Sequence, residues 1–245
     1  MNWLTLAATN LLKRKLRTSQ IVAIVAVFAA LNVVTDSFSG LPSSGVWYSW
    51  NFLIEPLTGI VLGPLLGFSA TFTGVMIGHY IYFIDLYEFL FTIGAPIGVS
   101  VSALMFKGRW KPVLAYYIAL LTTYFVTPIA WELPLWGMWD TYAAFFLLII
   151  AVFLIRKRLT QQCSKSVSFT LAMAAFVGLE ADVLFRIVLL VPGQTYRLFY
   201  GWDVETLKAI WGSGALITPL KVGLSTIATL VIGHPLVRTL RKASF

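Results

Sequence analysis

Lysine and arginine are not spread evenly along this chain. Fourteen of the 18 fall in four short stretches: Lys13, Arg14, Lys15 and Arg17; Lys107, Arg109 and Lys111; Arg156, Lys157, Arg158 and Lys165; Arg238, Arg241 and Lys242. None of the 10 acidic residues lies in these stretches. Asp36, Asp85, Glu88, Glu132, Asp140, Asp203 and Glu205 occupy the alternate connections between apolar runs instead. A chain threaded through a bilayer retains its Lys and Arg on the cytoplasmic side. The alternation therefore predicts an all-α, polytopic transmembrane helix bundle with both termini in the cytoplasm.

Composition agrees. Hydrophobic residues make up 59% and charged residues 11% of the chain. A soluble domain carries roughly a quarter charged residues. So much apolar surface needs a bilayer as its solvent, and the plasma membrane is the expected location. The net charge of +8 is divided among four loops. That reads as topology and contact with anionic lipid, not as a nucleic-acid surface. The single cysteine, Cys163, falls in an expected cytoplasmic loop and leaves no intramolecular disulfide. The first apolar stretch, Trp3 to Leu12, precedes its basic cluster, the reverse of a signal peptide. Leu4, Ala8, Leu11, Leu12 and Lys15 at helical spacing suggest a helix lying along the cytoplasmic interface within residues 1–19.

Apolar segments near 20–38, 47–63, 66–84, 88–106, 113–131, 140–155, 167–191 and 207–232 are each about long enough to cross ~30 Å of hydrocarbon. Eight spans place every basic loop on one side, within a single transmembrane domain over residues 20–242. Gly63-Pro64-Leu65-Leu66-Gly67 is read as the turn between spans two and three, because 47–84 is too long for one crossing. Ala26-Val27-Phe28-Ala29-Ala30 in span one spaces two small residues one turn apart. It suits either close approach of another helix or ordinary packing within the bundle.

Ionisable residues inside a bilayer are costly and are functional candidates by default. Here they are Glu55, His79, Glu180, Asp182, Arg186 and Lys221. Asp182 and Arg186 are four apart, share a helix face and can pair. Glu180 and Lys221 lie at similar expected depth. Either they form a structural ion pair, or Glu55, Glu180, Arg186 and Lys221 line a polar cavity in the outer half. Aromatics crowd the outer connections: Trp47, Tyr48 and Trp50; Trp131, Trp136 and Trp139; Tyr196, Phe199, Tyr200 and Trp202. An interfacial belt explains most of them. The inner loops contain only Trp110, however, and a cover over an outward-facing pocket would produce that asymmetry. Such a cover suits a planar heterocycle. Acidic groups beside it suit a cation such as thiamine, whereas Arg186 and Lys221 suit a carboxylate or phosphate equally.

Missing motifs narrow the choice. The chain lacks the Gly-x-x-x-x-Gly-Lys-Ser/Thr loop of nucleotide hydrolysis. It also lacks HExxH and any Cys/His cluster with metal-ligand spacing, so no cofactor or metal is expected. Glu180-Ala-Asp-Val-Leu-Phe-Arg186 is similar to the EExxxR helix of CPBP-type intramembrane proteases. Here, though, Ala181 stands where the first Glu belongs, and no FxxxH follows.

A different resemblance covers more of the chain. Ala29-Ala-Leu-Asn-Val-Val34 ends the first span, and Pro56-Leu-Thr-Gly-Ile-Val-Leu-Gly-Pro-Leu-Leu-Gly67 follows after a loop. This resembles the start of the substrate-binding S components of energy-coupling factor (ECF) transporters. There the second span ends in a Gly-Pro-x-x-Gly turn. Ile93-Gly-Ala-Pro-Ile-Gly98 to Lys107 looks like that family's fourth span. Thr218-Pro-Leu-Lys-Val-Gly223 with its basic tail is similar to the final helix. The resemblance covers about residues 18–110 and, more loosely, 167–242. S components have six spans, so 113–155 is read as an inserted helical hairpin.

The resemblance implies a membrane-embedded subunit, not an enzyme, that captures a vitamin-like small molecule from outside. It implies release by tilting of the subunit, with a transmembrane coupling protein docked at Ala26 and Ala30 and separate cytoplasmic ATPases. Carried over by position, Trp50, Asn51 and Glu55 match the loop and the entry to the second span, and Lys221 matches the final helix. Glu180 and Arg186 enter from their burial cost alone. Two other functions remain open: a stand-alone secondary transporter or channel, and an intramembrane protease built on Glu180, Asp182 and Arg186.

Overall fold

The computed structural model describes residues 17–38, 49–82, 85–158 and 164–243. The interfacial helix expected around Leu4 to Lys15, together with Trp47, Tyr48 and Cys163, lies outside them. The described chain is helical: α1 (Thr18–Ser37), α2 (Glu55–Leu62), α3 (Pro64–Ile81), α4 (Glu88–Thr92), α5 (Gly94–Phe106), α6 (Trp110–Val126), α7 (Trp139–Arg158), α8 (Ser164–Leu190), α9 (Thr195–Leu198) and α10 (Val204–Ala243). Four stretches are long and apolar enough to cross a membrane: Thr18–Ser37, Glu88–Phe106, Leu135–Val152 and Val204–Thr239. The other expected spans form helices outside these four. Helix α6 has only 17 residues. Helix α8 carries Glu180, Asp182 and Arg186. Glycines, threonines and His79 dilute the apolar content of α3.

The second segment departs most from expectation. Over 47–63 the regular α-helix is only α2, eight residues or about 12 Å. A short 3-10 turn, Trp50–Leu53, precedes it. All eight residues of α2 are buried. Non-helical backbone is tolerated at membrane depth where protein surrounds it, and α2 is enclosed in this way. At Gly63 the chain reverses with φ 84°, a conformation that glycine adopts without cost. A side chain there would also displace the flexible end of Lys107, whose Nζ lies 2.7 Å from the Cβ position. Pro64 then starts α3 at a position where its missing N–H costs nothing.

Close backbone contacts set the packing directions. Gly63 meets Lys107, and Gly59 meets the Val99 carbonyl, so α2 runs parallel to α5. Ser100 donates to the Pro64 carbonyl and Thr92 bonds His79, so α3 runs antiparallel to α5. Gly98 lies against the Gly178 carbonyl and Gly94 against Asp182, so α5 and α8 are antiparallel. Gly74 meets Asn32 and Gly78 meets Asp36, so α1 and α3 are parallel. Ser168 bonds His234 while Lys221 covers the Phe52 ring, so α10 runs antiparallel to α8. Lys13, Arg14 and Lys15 lie outside the described residues. The described members of the basic stretches, among them Arg17, Lys107, Arg109, Lys111 and Arg238, follow this order and gather at one end of the bundle. Asp36, Glu55, His79, Glu88, Asp140 and Arg186 gather towards the other.

Polar side chains are buried alongside the apolar core, and apolar ones face outward. Asn32, Asp36, Asn51, Glu55, Asp140, Glu180 and Asp182 are buried. Leu216, Leu220, Leu224, Ile227 and Val231 form an exposed stripe along α10, and Val22, Val27, Leu31 and Val34 another along α1. Outward apolar faces of this kind are compatible with a membrane protein. The pair α6–α7 is part of the main core, not an appendage: Tyr117, Tyr124, Met138 and Leu148 pack in it with Leu171, Val177 and Leu184 of α8. Tyr117 and Tyr116 donate their hydroxyls to the carbonyls of Val177 and Ala181, at 2.7 and 2.8 Å.

Candidate functional site

A cavity of about 150 Å³ opens at the end of the bundle opposite the basic stretches. Helix α8 supplies Asp182 and Arg186, α10 supplies Lys221 and Trp211, α7 supplies Asp140, and α4 supplies Glu88. Tyr200 and Trp202, in the connection before α10, also line it. Helical spacing accounts for the α8 pair: Arg186 Nε donates to Asp182 Oδ1 at 2.7 Å, one turn apart. Gly94 and Gly98 let α5 come close enough to α8 to put Asp182 against the α5 backbone. Gly137 serves the same purpose under Trp211, since a side chain there would overlap the indole.

The cavity's aromatic wall is held by its polar atoms. Tyr200 and Trp202 stack with centroids 4.6 Å apart. Trp211 donates its indole N–H to the Pro134 carbonyl at 3.1 Å and stacks in parallel on Tyr124. Tyr200 donates to Glu88 Oε1 at 3.2 Å. Burial, and then the neighbouring Glu88 carboxylate, push the Tyr200 phenol upward, so it stays a donor. Farther along the same connection, Asp203 Oδ1 accepts the Thr206 N–H at 2.8 Å and caps α10. The bonds from Thr206 hold the Asp203 carboxyl below the usual range.

A second, smaller cavity of about 20 Å³ lies beside the first, and Arg186 and Glu88 line both. Its wall is a hydrogen-bonded chain that joins α1, α3, α4 and the start of α2. Asp36 Oδ2 and His79 Nδ1 are 2.6 Å apart, and His79 Nε2 lies 2.9 Å from the Thr92 hydroxyl. Thr35 donates to Asn51 Oδ1 at 3.2 Å, and Asn51 Nδ2 donates to Glu55 Oε1 at 3.1 Å.

The six expected ligand residues divide among four environments. Arg186 and Lys221 line the main cavity. Asn51 and Glu55 line the small one. Glu180 is fully buried behind the main cavity, where Thr141 donates to its Oε2 at 3.0 Å. Trp50 is 41% exposed and stacks on Phe52, lining neither. The Arg186–Asp182 pair expected from spacing is formed. Ala26 and Ala30 both lie on the exposed face of α1, away from α3.

Sequence reasoning missed Glu88, Asp140 and Trp211. Glu88 and Asp140 resembled outer-loop markers because each stands at the start of an apolar run. Their place at a helix N-terminus was the available signal.

Chemically, the arrangement can hold a small solute by charge and ring stacking. Among the described residues no group of three or more His, Cys, Asp or Glu is placed to hold a metal ion. No protein-family model, curated protein or solved structure matches the chain.

Proposed function

We propose that this chain is the membrane-embedded substrate-binding subunit of an ECF-type importer. It crosses the plasma membrane eight times, with both termini in the cytoplasm, and captures a vitamin-like solute from outside. The observation that carries this reading is the main cavity, enclosed by charged side chains and stacked aromatics at the end away from the basic stretches. A capture subunit requires a preformed pocket with a few polar anchors. The absence of a phosphate-binding loop fits a subunit that leaves ATP hydrolysis to partners. The exposed small residues Ala26 and Ala30 offer a face on α1 to the transmembrane coupling protein.

Mass spectrometry of the gently solubilised protein tests capture: a single small solute is expected to co-purify in near-stoichiometric amount. A preparation that carries none, and binds nothing across a vitamin panel, would count against the proposal. The docking face has its own test. Ala26→Leu with Ala30→Leu is expected to abolish assembly with the coupling protein while leaving solute binding unchanged. Unaltered assembly would remove α1 from the interface.

A further inference from the structure

Charge around the main cavity is unbalanced. Glu88, Asp140 and Asp182 line it, against the two cations Arg186 and Lys221. Glu55 and Glu180 stand close behind, both buried. The cations are already engaged with acids. Arg186 Nε is bonded to Asp182, and Lys221 lies in the fields of Arg186, Asp182, Glu55 and Glu180. Three oxygens among these acids have no hydrogen-bond partner: Asp140 Oδ2, Glu55 Oε2 and Glu180 Oε1. Asp140 is the one of those three residues that lines the main cavity, and it is only 3% exposed. Its other oxygen, Oδ1, accepts the Thr141 N–H at 2.9 Å, which fixes the carboxyl group in place. A buried, unpaired carboxylate oxygen is costly until a donor reaches it.

We propose that the main cavity is selective for a flat organic cation, with its charged nitrogen anchored on Asp140. The inference rests on the capture reading and supplies its substrate class. An ammonium, amidinium or protonated ring nitrogen places an N–H on Asp140 Oδ2. The ring then lies along the wall of Trp211, Tyr200 and Trp202, where the π faces add attraction for positive charge. An anion meets the opposite situation. It must compete with Asp182 for Arg186 while Glu88 and Asp140 repel it.

Three probes of equal size and different charge test this on the detergent-purified full chain: benzamidinium, benzamide and benzoate. Tryptophan fluorescence titration reports binding through Trp211 and Trp202. Benzamidinium is expected to bind saturably, at least about tenfold more tightly than either other probe, about 1.4 kcal/mol. Asp140→Asn is expected to erase that preference, while Asp203→Asn, outside the cavity, retains it. A circular dichroism spectrum and melting curve like those of the parent show that Asp140→Asn is folded. The proposal is overturned by benzoate binding as well as benzamidinium, by an unchanged preference in Asp140→Asn, or by no saturable binding of benzamidinium. An anionic solute co-purifying with the protein would also overturn it while leaving the capture reading standing. Cation preference without any co-purifying solute would do the reverse.

Discussion

At the scale of single residues, the interior is organised by where its hydrogen bonds run out. Thr141 serves two carboxyl groups at once, with its N–H on Asp140 and its hydroxyl on Glu180. Glu180 already has one oxygen without a partner. Thr141→Val keeps the shape and removes the hydroxyl, leaving both Glu180 oxygens unserved. The expected loss is about 1–3 kcal/mol, the cost of an unsatisfied buried acceptor. Thermal unfolding in detergent, compared with Thr141→Ser, checks it. An equal loss in both variants would point to packing and not to the hydroxyl. The Asp36–His79–Thr92 chain illustrates a different residue-scale fact. His79 stood out in the sequence only as an ionisable group at membrane depth. Its partners lie 43 and 13 positions away, and no spacing rule connects them.

At the scale of elements, glycines decide which helices touch. Helices α5 and α8 meet through Gly98 and Gly178, with the Gly178 carbonyl 2.9 Å from the Cβ position of Gly98. Ser102 closes on Gly178 from the same side. This contact also fixes the depth at which Asp182 and Arg186 face the cavity. Gly178→Leu must force the pair apart, and overpacking of that kind costs about 1–3 kcal/mol or more. The variant is expected to melt earlier and to bind the co-purifying solute more weakly. Gly223→Leu, where nothing lies within 4 Å of an added Cβ and which lines neither cavity, is the matched control. Equal behaviour of the two variants would show that the α5–α8 contact does not position the site. Helix α2 makes a related point. Its residues are apolar enough to suggest a span, yet its regular turns cover only Glu55–Leu62. A run of hydrophobic residues measures burial, and burial inside protein looks the same in sequence as burial in lipid.

At the scale of the whole molecule, the two ends differ in charge, and the proposed orientation rests on that difference. The described members of the basic stretches lie at one end and the cavity opens at the other. In a Cys163→Ser background, Arg197→Cys at the cavity end and Lys111→Cys at the basic end report the two sides. Both positions are exposed. A membrane-impermeant maleimide applied to intact cells is expected to label Arg197→Cys and to spare Lys111→Cys until the membrane is opened. Labelling of Lys111→Cys from outside would reverse the orientation and place the cavity in the cytoplasm.

Helix formation, and most helix limits, could be read from the order of residues. Apolar runs of bilayer length and the alternation of charge are local or additive properties, and the turn at Gly63-Pro64 is local chemistry. The pairing of Asp182 with Arg186 was legible for the same reason, since one helical turn brings them together without help from the rest of the fold. What the cavity contains was decided only by tertiary packing. Asp140, Glu88, Trp211 and Lys221 come from three helices, and their meeting depends on close backbone approaches at Gly94, Gly98 and Gly137. Such approaches depend on helix directions and on the space left by absent side chains. Neither quantity is carried by any single stretch of sequence.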